Sequence, residues 1–411
     1  MRIAFFHNGG DLYGASRSLL RLASALRCDG HAALAFLPKP GPLSSALRKA
    51  GVEVEDSLGL RVLHRADFRF ARMLPFSCGI PSSVRRCHAV LRRFRPDLVH
   101  SNTGTVLTGA LSAKILRTPH LWHVRDMFDE FGVLWKVWGR WILASSARVL
   151  CVSRAVAAQF DAFPGAEAKI RILNNGFPPE EFAVPPEGWT PSASALRRRW
   201  GTREEECAIG ILGRIKLGRK GHETLVRAAK ALLDRGASNF RVIVLGATFP
   251  GNEEHETRLR RLTGDLALGD RIVFAGEMDD PRPAYAALDI VVLASARPEP
   301  FGGVVIEAMA MGKPVVGTAF GGTVEQIADG VSGFLVPPSD PDAMADALAR
   351  LLADPPLRAR MGAAGKKRFE ERFAFAGMYR RLLEFYAEAL GRAPGALPDS
   401  ECRPASTLSS S

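Results

Sequence analysis

The chain has 411 residues, of which 47% are hydrophobic and 24% charged, a globular composition that excludes a disordered or fibrous protein. Because one hydrophobic core stops growing at roughly 250 to 300 residues, this length predicts two domains. The net charge of +12 comes mainly from residues 1–190, which hold 25 lysines and arginines against 15 aspartates and glutamates.

Short apolar runs alternate with longer helical patterns through the first 180 residues. In chain order, the runs are RIAFFH, HAALAFL, PDLVHS, HLWHV, RVLCVS and KIRILNN. Strands that alternate with helices of roughly 10 to 15 residues predict a parallel sheet with helices on both faces. Residues 1–185 are therefore predicted to form one doubly wound, Rossmann-like domain.

The basic excess is greatest in residues 61–95, which contain nine arginines and one acidic residue, Asp67. Four apolar residues recur there at helical spacing: Val84, Cys87, Leu91 and Phe94. One interpretation is a helix with solvated arginines, and another is a surface that binds anionic lipid head groups or an acidic polymer. Nucleic acid is not expected as a partner, because no aromatic residues interleave with the arginines as base-stacking platforms.

No segment predicts export or a membrane-spanning helix. The first strand has only four consecutive apolar residues, and no later window approaches the roughly 18 apolar residues of a transmembrane helix. The six cysteines are scattered without a C-x-x-C pair, which disfavours a zinc site and a disulfide scaffold. These features predict reduced thiols in a cytoplasmic protein, with peripheral attachment to the inner face of the membrane as an alternative.

A proline-rich stretch ends the first series of elements, so residues 186–203 are predicted to be a linker. A second series of strands and helices predicts another Rossmann-like domain at 204–375. A closing helix is predicted at 376–390 and a disordered tail at 391–411. The expected fold is therefore α/β, with two doubly wound domains that face each other across a cleft.

Ligands bind open parallel sheets at the carboxyl ends of the strands, so the loops after the strands are the candidate site. The strand DIVVLAS is followed by ARPEP and then by the apolar helix GGVVIEAMAMG. Unpaired backbone amides at this helix start, near Gly302 and Gly303, favour an anion such as phosphate. Glu299 precedes the helix, and Glu307 lies inside it.

A buried carboxylate needs hydrogen-bond donors, and sugar hydroxyls can supply them. On this interpretation Glu307 holds a ribose and Glu299 a second sugar; the alternative is that Glu307 pairs with an arginine or a helix end in the core. The stretch GILGRIKLGRKGHETLV places Arg214 and Lys220 in the first loop of the second domain. Such cations can stabilise a diphosphate leaving group when no metal is used.

The chain resembles the retaining family 4 glycosyltransferases of GT-B fold. The resemblance is carried by three features together: the GR and KG of that loop, the E-x7-E pair and the later stretch GGTVEQIADGVSGFLVPP. The resemblance extends over residues 1 to about 390. It implies that the C-terminal domain binds a nucleotide-diphosphate sugar and the N-terminal domain an acceptor. It also implies retention of the anomeric configuration, with no divalent metal and no other cofactor.

In the C-terminal domain, the resemblance implies that Arg214 and Lys220 clamp the diphosphate. It implies that Glu307 contacts the ribose and Glu299 the donor sugar, the latter as part of the catalytic set. The other expected donor-site residues are Phe301, Gly302, Gly303, Gly321, Gly322, Gly9 and Gly10. For the pair Gly321 and Gly322, a turn at a helix start is an equally good explanation.

In the N-terminal domain, the resemblance implies that His123 is a catalytic residue close to the transferred sugar. A core histidine is the alternative at this position. The expected acceptor or cleft residues are Arg125, Asp126, Asn102 and Asn175.

The expected activity is that of a hexosyl or related glycosyltransferase in cell-surface polysaccharide or glycolipid biosynthesis. Neither glutamate matches a nucleophile, so front-face substitution is expected, in which the departing phosphate oxygen takes the acceptor proton. A nucleotide-sugar epimerase of the same architecture is one alternative, although the cation pair and E-x7-E fit it less well. A non-catalytic sugar-nucleotide-binding module is another, disfavoured because the ionisable motif residues are all present.

Overall fold

The computed structural model describes residues 1–63, 70–185 and 187–393. These residues form two compact units. Of the described residues, those within 1–178 and 375–393 make up the first unit, and those within 179–374 make up the second unit. Each unit is built around one parallel sheet.

The sheet of the first unit has seven strands in the order β3-β2-β1-β4-β5-β6-β7. The strands are β1 Arg2–Phe6, β2 Ala32–Phe36, β3 Glu53–Glu55, β4 Leu98–Ser101, β5 His120–Val124, β6 Arg148–Cys151 and β7 Ile170–Ile172. The helices of this unit are α1 Gly14–Cys28, α2 Pro42–Lys49, α3 Phe70–Phe94, α4 Leu107–Leu116, α5 Val133–Ala144, α6 Arg154–Ala158 and α15 Phe375–Ala389.

The first strand and first helix show why these residues form a covered sheet. Residues 3–6 of β1 are fully buried, as expected for a parallel strand with helices on both faces. In α1, Leu19, Leu22, Ala23 and Leu26 recur at spacings of three or four and are all fully buried. One apolar stripe of the helix therefore packs into the core.

The last helix, α15, completes the core of the first unit. Leu382 and Tyr386 are fully buried in the same hydrophobic cluster as β1 and α1. Glu388 also accepts a salt bridge from Arg148 at 2.9 Å and from Arg171 at 3.1 Å, both in the first sheet. These contacts place α15 in the first unit, although it follows the second unit in the chain.

The basic segment 61–95 includes α3. The four apolar residues at helical spacing are buried: Val84, Cys87, Leu91 and Phe94. Its exposed arginines in this part of the helix are Arg85, Arg86, Arg92 and Arg93. Residues 64–69 of the segment lie outside the described residues.

The sheet of the second unit has six strands in the order β10-β9-β8-β11-β12-β13. The strands are β8 Cys207–Leu212, β9 Phe240–Leu245, β10 Ile272–Gly276, β11 Ile290–Leu293, β12 Val315–Thr318 and β13 Gly333–Val336. The helices are α7 Thr190–Arg199, α8 His222–Asp234, α9 Glu254–Asp265, α10 Arg282–Ala287, α11 Gly303–Ala310, α12 Thr323–Gln326, α13 Pro341–Ala353 and α14 Pro355–Arg372.

The segment predicted as a linker, 186–203, contains the helix α7. Arg197 of this helix donates to the Asp289 carboxylate at 2.9 Å and to the Glu206 carbonyl at 2.6 Å. The segment therefore folds against the second unit instead of running as an extended connection.

The two parallel sheets confirm the predicted α/β class with two Rossmann-like domains. In both, the chain order reverses beside the first strand, between β1 and β4 and between β8 and β11. Loops that leave the carboxyl ends of such neighbouring strands diverge, which opens a crevice where ligands bind. Six of the predicted site residues lie in these loops: Gly9 and Gly10 after β1, Asn102 after β4, Arg214 and Lys220 after β8, and Glu299 after β11.

No helix among the described residues is both long and apolar enough to cross a membrane. Four cysteines are free thiols: Cys78, Cys87, Cys151 and Cys207. Cys28 is disulfide-bonded, which corrects the expectation of reduced thiols throughout. Cys402 and the rest of 394–411, most of the predicted tail, lie outside the described residues.

Candidate functional site

The second unit brings three predicted loops to one edge of its sheet. The loop after β8 carries Arg214 and Lys220, the loop after β11 carries Glu299, and the loop after β12 carries Gly321 and Gly322. Since β8, β11 and β12 are adjacent parallel strands, their carboxyl ends lie side by side.

Lys220 and Glu299 form an ion pair at this edge. The Lys220 ammonium donates to Glu299 Oε1 at 2.5 Å, and the Ser295 hydroxyl donates to the same oxygen at 2.7 Å. The Glu299 side chain is 13% exposed and that of Lys220 is 35% exposed. A cation and an oriented carboxylate therefore lie together where a ligand can reach both.

Backbone contacts fix the two loops that carry this pair. The Ala296 amide donates to the Arg219 carbonyl at 2.9 Å. Gly221 has φ of +71°, and a Cβ there would lie 1.7 Å from the Ala294 carbonyl oxygen. Only glycine tolerates this left-handed backbone at such close approach. Gly221 therefore sets the position of its neighbour Lys220.

The glycine pair after β12 packs against the backbone of Glu299. The Gly322 amide donates to the Glu299 carbonyl at 2.8 Å. Gly321 has φ of +63°, and a Cβ there would lie 2.3 Å from the same carbonyl oxygen. The pair forms the turn at the start of α12, which is the helix-start explanation given above. This turn also supports the loop that carries Glu299.

Glu307 lies on α11 and accepts a hydrogen bond from a tyrosine. The Tyr285 hydroxyl, on α10, donates to Glu307 Oε2 at 2.7 Å. Tyr285 is fully buried, whereas Glu307 is half-buried. One partner of Glu307 is therefore the neutral hydroxyl group of Tyr285.

Phe301, Gly302 and Gly303 lie at the start of α11. Gly302 is the N-cap residue, and a Cβ there would lie 2.8 Å from the Leu293 side chain. The ring of Phe301 packs edge-on against that of Phe373, with 6.1 Å between the ring centroids. The start of α11 therefore packs closely against the end of β11.

The guanidinium of Arg214 is exposed and lies over the ring of Phe249, 5.0 Å from the ring centroid. Phe249 follows β9, the neighbour of β8, and is 50% exposed. Near Lys220, His222 is buried at the start of α8. Burial and the charge of Lys220 lower the pKa of His222 to about 4, so this histidine is neutral at pH 7.

In the first unit, a hydrogen-bonded chain holds the glycine-rich loop after β1. Asn102 Nδ2 lies 3.2 Å from His7 Nδ1, and His7 Nε2 lies 2.9 Å from the Ser16 hydroxyl. That hydroxyl donates to Asp11 at 3.0 Å. Burial, together with the charge of Arg125, lowers the pKa of His7 to about 3, an effect that Asp11 opposes. These hydrogen bonds link Asn102, which follows β4, to Asp11 in the loop after β1, and so hold that loop in place.

Gly9 and Gly10 lie in this loop. A Cβ on Gly10 would lie 2.9 Å from the Lys39 carbonyl oxygen, and the Gly10 carbonyl accepts from the Leu43 amide at 3.0 Å. The loop after β2 therefore approaches the backbone of Gly10 closely, which gives this glycine a packing reason independent of any ligand. Gly9 is half-buried, with only the Asp11 side chain near a Cβ built on it.

His123 and Arg125 form a buried cluster at the end of β5. Arg125 donates to His123 Nδ1 at 3.1 Å, to the Ser18 hydroxyl at 3.0 Å and to the Asn175 side chain. The ring of His123 stacks on that of His100, with 5.6 Å between centroids. His123 is 1% exposed and Arg125 is 8% exposed. Arg125, which follows β5, therefore contacts both His123 in β5 and Asn175 in the loop after β7.

The cluster is electrostatically unusual because its cation is buried. Burial lowers the pKa of Arg125 to about 9, although the neighbouring charge of Asp126 opposes this shift. Burial and the charges of Arg125 and His100 hold the pKa of His123 well below its ordinary value, against the effect of the Leu173 carbonyl. A guanidinium only donates, so Nδ1 of His123 accepts and the single ring proton lies on Nε2.

Three residues that the sequence analysis did not single out support the predicted ones. Ser295 orients Glu299, Tyr285 orients Glu307, and Ser18 holds Arg125. Ser295 follows a strand directly, so its place at the sheet edge could have been inferred from position. Tyr285 lies in an apolar helix, and no pattern in the sequence pairs it with Glu307.

Sequence families match both halves of the chain. The family described as "Glycosyl transferases group 1" matches residues 193–368, and the family described as "Glycosyltransferase Family 4" matches residues 13–181.

Among the described residues, no cluster of three or more His, Cys, Asp or Glu side chains could hold a metal ion.

Individual relatives agree with these matches. A D-inositol 3-phosphate glycosyltransferase of Acidothermus cellulolyticus is 30% identical over 331 residues, 76% of this chain and 72% of that protein. A protein of the same name from Salinispora arenicola is 33% identical over 256 residues, which are 61% of this chain but only 56% of that protein. The crystal structure of Anabaena HepE in complex with UDP has a TM-score of 0.78 and 25% identity, and covers 94% of this chain and 100% of that one.

Proposed function

Because this chain belongs to glycosyltransferase family 4, we propose that it transfers a sugar from a nucleoside-diphosphate sugar to a glycan or lipid-linked acceptor in cell-surface polysaccharide or glycolipid assembly. The observation that carries this proposal is the contact between Lys220 and Glu299 at the carboxyl edge of the second sheet. A sugar diphosphate presents both charged oxygens and hydroxyls, and this pair offers a partner to each. The UDP complex of HepE supports a nucleotide as the ligand.

The donor is assigned to the second unit. Lys220 and Arg214 bind the diphosphate, the amides of Gly302 and Gly303 at the start of α11 contact a phosphate, and Glu307 holds the ribose. Glu299 binds a hydroxyl of the transferred sugar through the oxygen atoms that Ser295 helps to orient. Because Lys220 now contacts Glu299, donor binding is proposed to move the ammonium from the carboxylate to the diphosphate.

The proposed reaction is a front-face substitution with retention. The bond between the anomeric carbon and the phosphate oxygen breaks, the acceptor oxygen bonds to that carbon on the same face, and the acceptor proton passes to the departing phosphate oxygen. Lys220 and Arg214 stabilise the charge that develops on the phosphate. We therefore propose a reaction that requires no divalent metal.

The acceptor is assigned to the first unit, with Asn102, Asp126 and Asn175 as candidate contacts. His123 is proposed to lie close to the transferred sugar. Since Arg125 donates to Nδ1, a ligand contact of His123 would be made through Nε2 as a donor. His123 would then not be the base that takes the acceptor proton, in agreement with transfer of that proton to the phosphate.

A panel of sugar nucleotides tests this function. The purified chain is incubated with UDP-, GDP-, ADP- and dTDP-sugars, with and without D-inositol 3-phosphate or lipid-linked acceptors, and with EDTA in a parallel set. We expect slow release of nucleoside diphosphate from one donor alone, faster release with an acceptor, and no effect of EDTA. Proton NMR of the product should show the anomeric configuration of the donor.

The other outcomes identify the alternatives. Interconversion of two sugar nucleotides would indicate an epimerase, and binding without turnover would indicate a binding module. If no sugar nucleotide binds at micromolar to millimolar concentration, the proposed function is wrong.

We further propose that the first unit contacts the anionic inner face of a membrane, so that the cytoplasmic enzyme meets lipid-linked acceptors. Four exposed arginines on α3 support this: Arg85, Arg86, Arg92 and Arg93. The first turns of α5 also expose Val133 and Val137, which are 74% and 64% exposed beside Lys136 and Arg140. Exposed apolar and basic side chains on one helix suit a lipid interface.

Replacing the four α3 arginines with glutamine should weaken sedimentation with phosphatidylglycerol vesicles at least tenfold, because each such charge contributes about 1 kcal/mol near an anionic surface. The matched control replaces four exposed arginines of the second unit: Arg198, Arg199, Arg261 and Arg360. Equal binding by the two variants, or binding that is the same with phosphatidylcholine vesicles, would rule out a specific basic surface on α3.

A further inference from the structure

The carboxylate proposed to hold the ribose is itself held by a residue that the proposed function does not use. Tyr285 lies on the short helix α10, immediately before β11, and is fully buried. Its hydroxyl donates to Glu307 Oε2 at 2.7 Å. Because a carboxylate only accepts, the direction of this hydrogen bond is fixed from tyrosine to glutamate.

This hydrogen bond determines how Glu307 is presented. The last torsion of a glutamate side chain is broad, so an unrestrained carboxylate rotates freely about its final bond. Glu307 lies on α11 between Ile306 and Ala308, both fully buried. A hydroxyl anchored in the core therefore restrains one oxygen of this carboxylate before a ligand arrives.

We propose that Tyr285 is a positioning residue that makes this glycosyltransferase selective for ribonucleotides over 2′-deoxyribonucleotides. The inference rests on the proposed function, in which Glu307 accepts hydrogen bonds from the ribose diol. A carboxylate held in one plane accepts from two adjacent hydroxyls in a defined geometry. Without the tyrosine hydroxyl the carboxylate must be ordered further on binding, and this loss weakens a ligand with both hydroxyls more than one that has only the 3′-hydroxyl.

The test compares ribonucleoside and 2′-deoxyribonucleoside diphosphates as ligands. Dissociation constants are measured by calorimetry for UDP, GDP, ADP and CDP and their 2′-deoxy counterparts, and the base that binds most tightly is used. The wild-type chain is expected to prefer the ribonucleotide at least tenfold, as for the loss of a hydrogen bond to a charged group. In Y285F the preference should fall at least threefold, because ribonucleotide binding weakens more than deoxyribonucleotide binding.

A matched control is available in the first unit. Tyr379 is also buried, and its hydroxyl donates to the carboxylate of Asp29 at 2.8 Å. Y379F removes the same kind of hydrogen bond far from the proposed nucleotide site in the chain. It should change the melting temperature by an amount similar to Y285F but leave the ribose preference at the wild-type value.

The variant E307Q separates positioning from a general structural effect. It keeps the tyrosine, should itself lose the ribose preference, and should make the further change Y285F silent for that preference. The inference is overturned if Y285F keeps the full preference or if E307Q does. If Y285F does not fold, an E307Q variant that keeps the full preference still overturns the inference. The proposed function fails separately, when none of the nucleoside diphosphates binds to the wild-type chain.

Discussion

Replacing Lys220 with alanine is expected to lower kcat at least a hundredfold while leaving the chain folded. The ammonium is proposed to stabilise the charge that develops on the departing phosphate. Removing one such donor typically costs about 3 to 4 kcal/mol of transition-state stabilisation. Because that charge is smaller in the bound donor than in the transition state, KM should change much less than kcat.

The measurement is donor hydrolysis or transfer at saturating donor, with circular dichroism to verify the fold. Lys230 is a matched control, because it also pairs with an acid in the second unit, Asp234, on the exposed face of α8. K230A should keep at least half of the wild-type kcat, as expected for a surface ion pair. A K220A variant with near-normal turnover would remove this lysine from the proposed mechanism.

The substitution G321A should also lower kcat about a hundredfold, although it changes no charged or hydrogen-bonding side chain. A Cβ at this position would lie 2.3 Å from the Glu299 carbonyl oxygen and 2.7 Å from the Glu299 nitrogen. Both contacts are with backbone, so the loop that carries Glu299 must move. A displacement on the order of 1 Å at a positioned group can cost about 10²-fold in rate.

Gly330 provides the control for backbone strain alone. Its φ of +71° is close to the +63° of Gly321, but a Cβ there would meet no heavy atom within 4 Å. In both alanine variants the left-handed backbone lowers the stability of the fold by about 1 to 2 kcal/mol. This contribution to the change in melting temperature should therefore be similar in the two variants. Only G321A should lose activity, and equal kcat values for G321A and G330A would contradict the role of this turn in holding Glu299.

Much of the fold could be predicted because the local patterns and the tertiary structure agree. The buried runs of β1 and β8 read as parallel strands, since both of their faces are covered. The helical spacing of Cys87 and Leu91 agrees with their place in α3, where both residues are buried. Local period and burial are sufficient for such assignments because they depend on neighbours within a few positions along the chain.

In the segment 186–203 the local pattern and the tertiary structure differ. Prolines and small residues indicate a linker, but the segment contains α7, whose Arg197 pairs with Asp289 from a distant part of the chain. The same limitation applies to α15, which is assigned to the first unit by contacts of Glu388 with Arg148 and Arg171. Neither of these partnerships has a signature in the local sequence.

By itself, the sequence determined the two-domain α/β class, the family and the residues that carry charge at the sheet edges, since these follow from periodicity and from motifs of adjacent residues. Only the tertiary structure decided how those residues are held. It placed Ser295 and Lys220 on one oxygen of Glu299, Tyr285 on Glu307, and Arg125 on Nδ1 of His123. The physical reason is that a hydrogen bond depends on distances and angles between groups that the chain brings together from remote positions, and these are fixed only when the core packs.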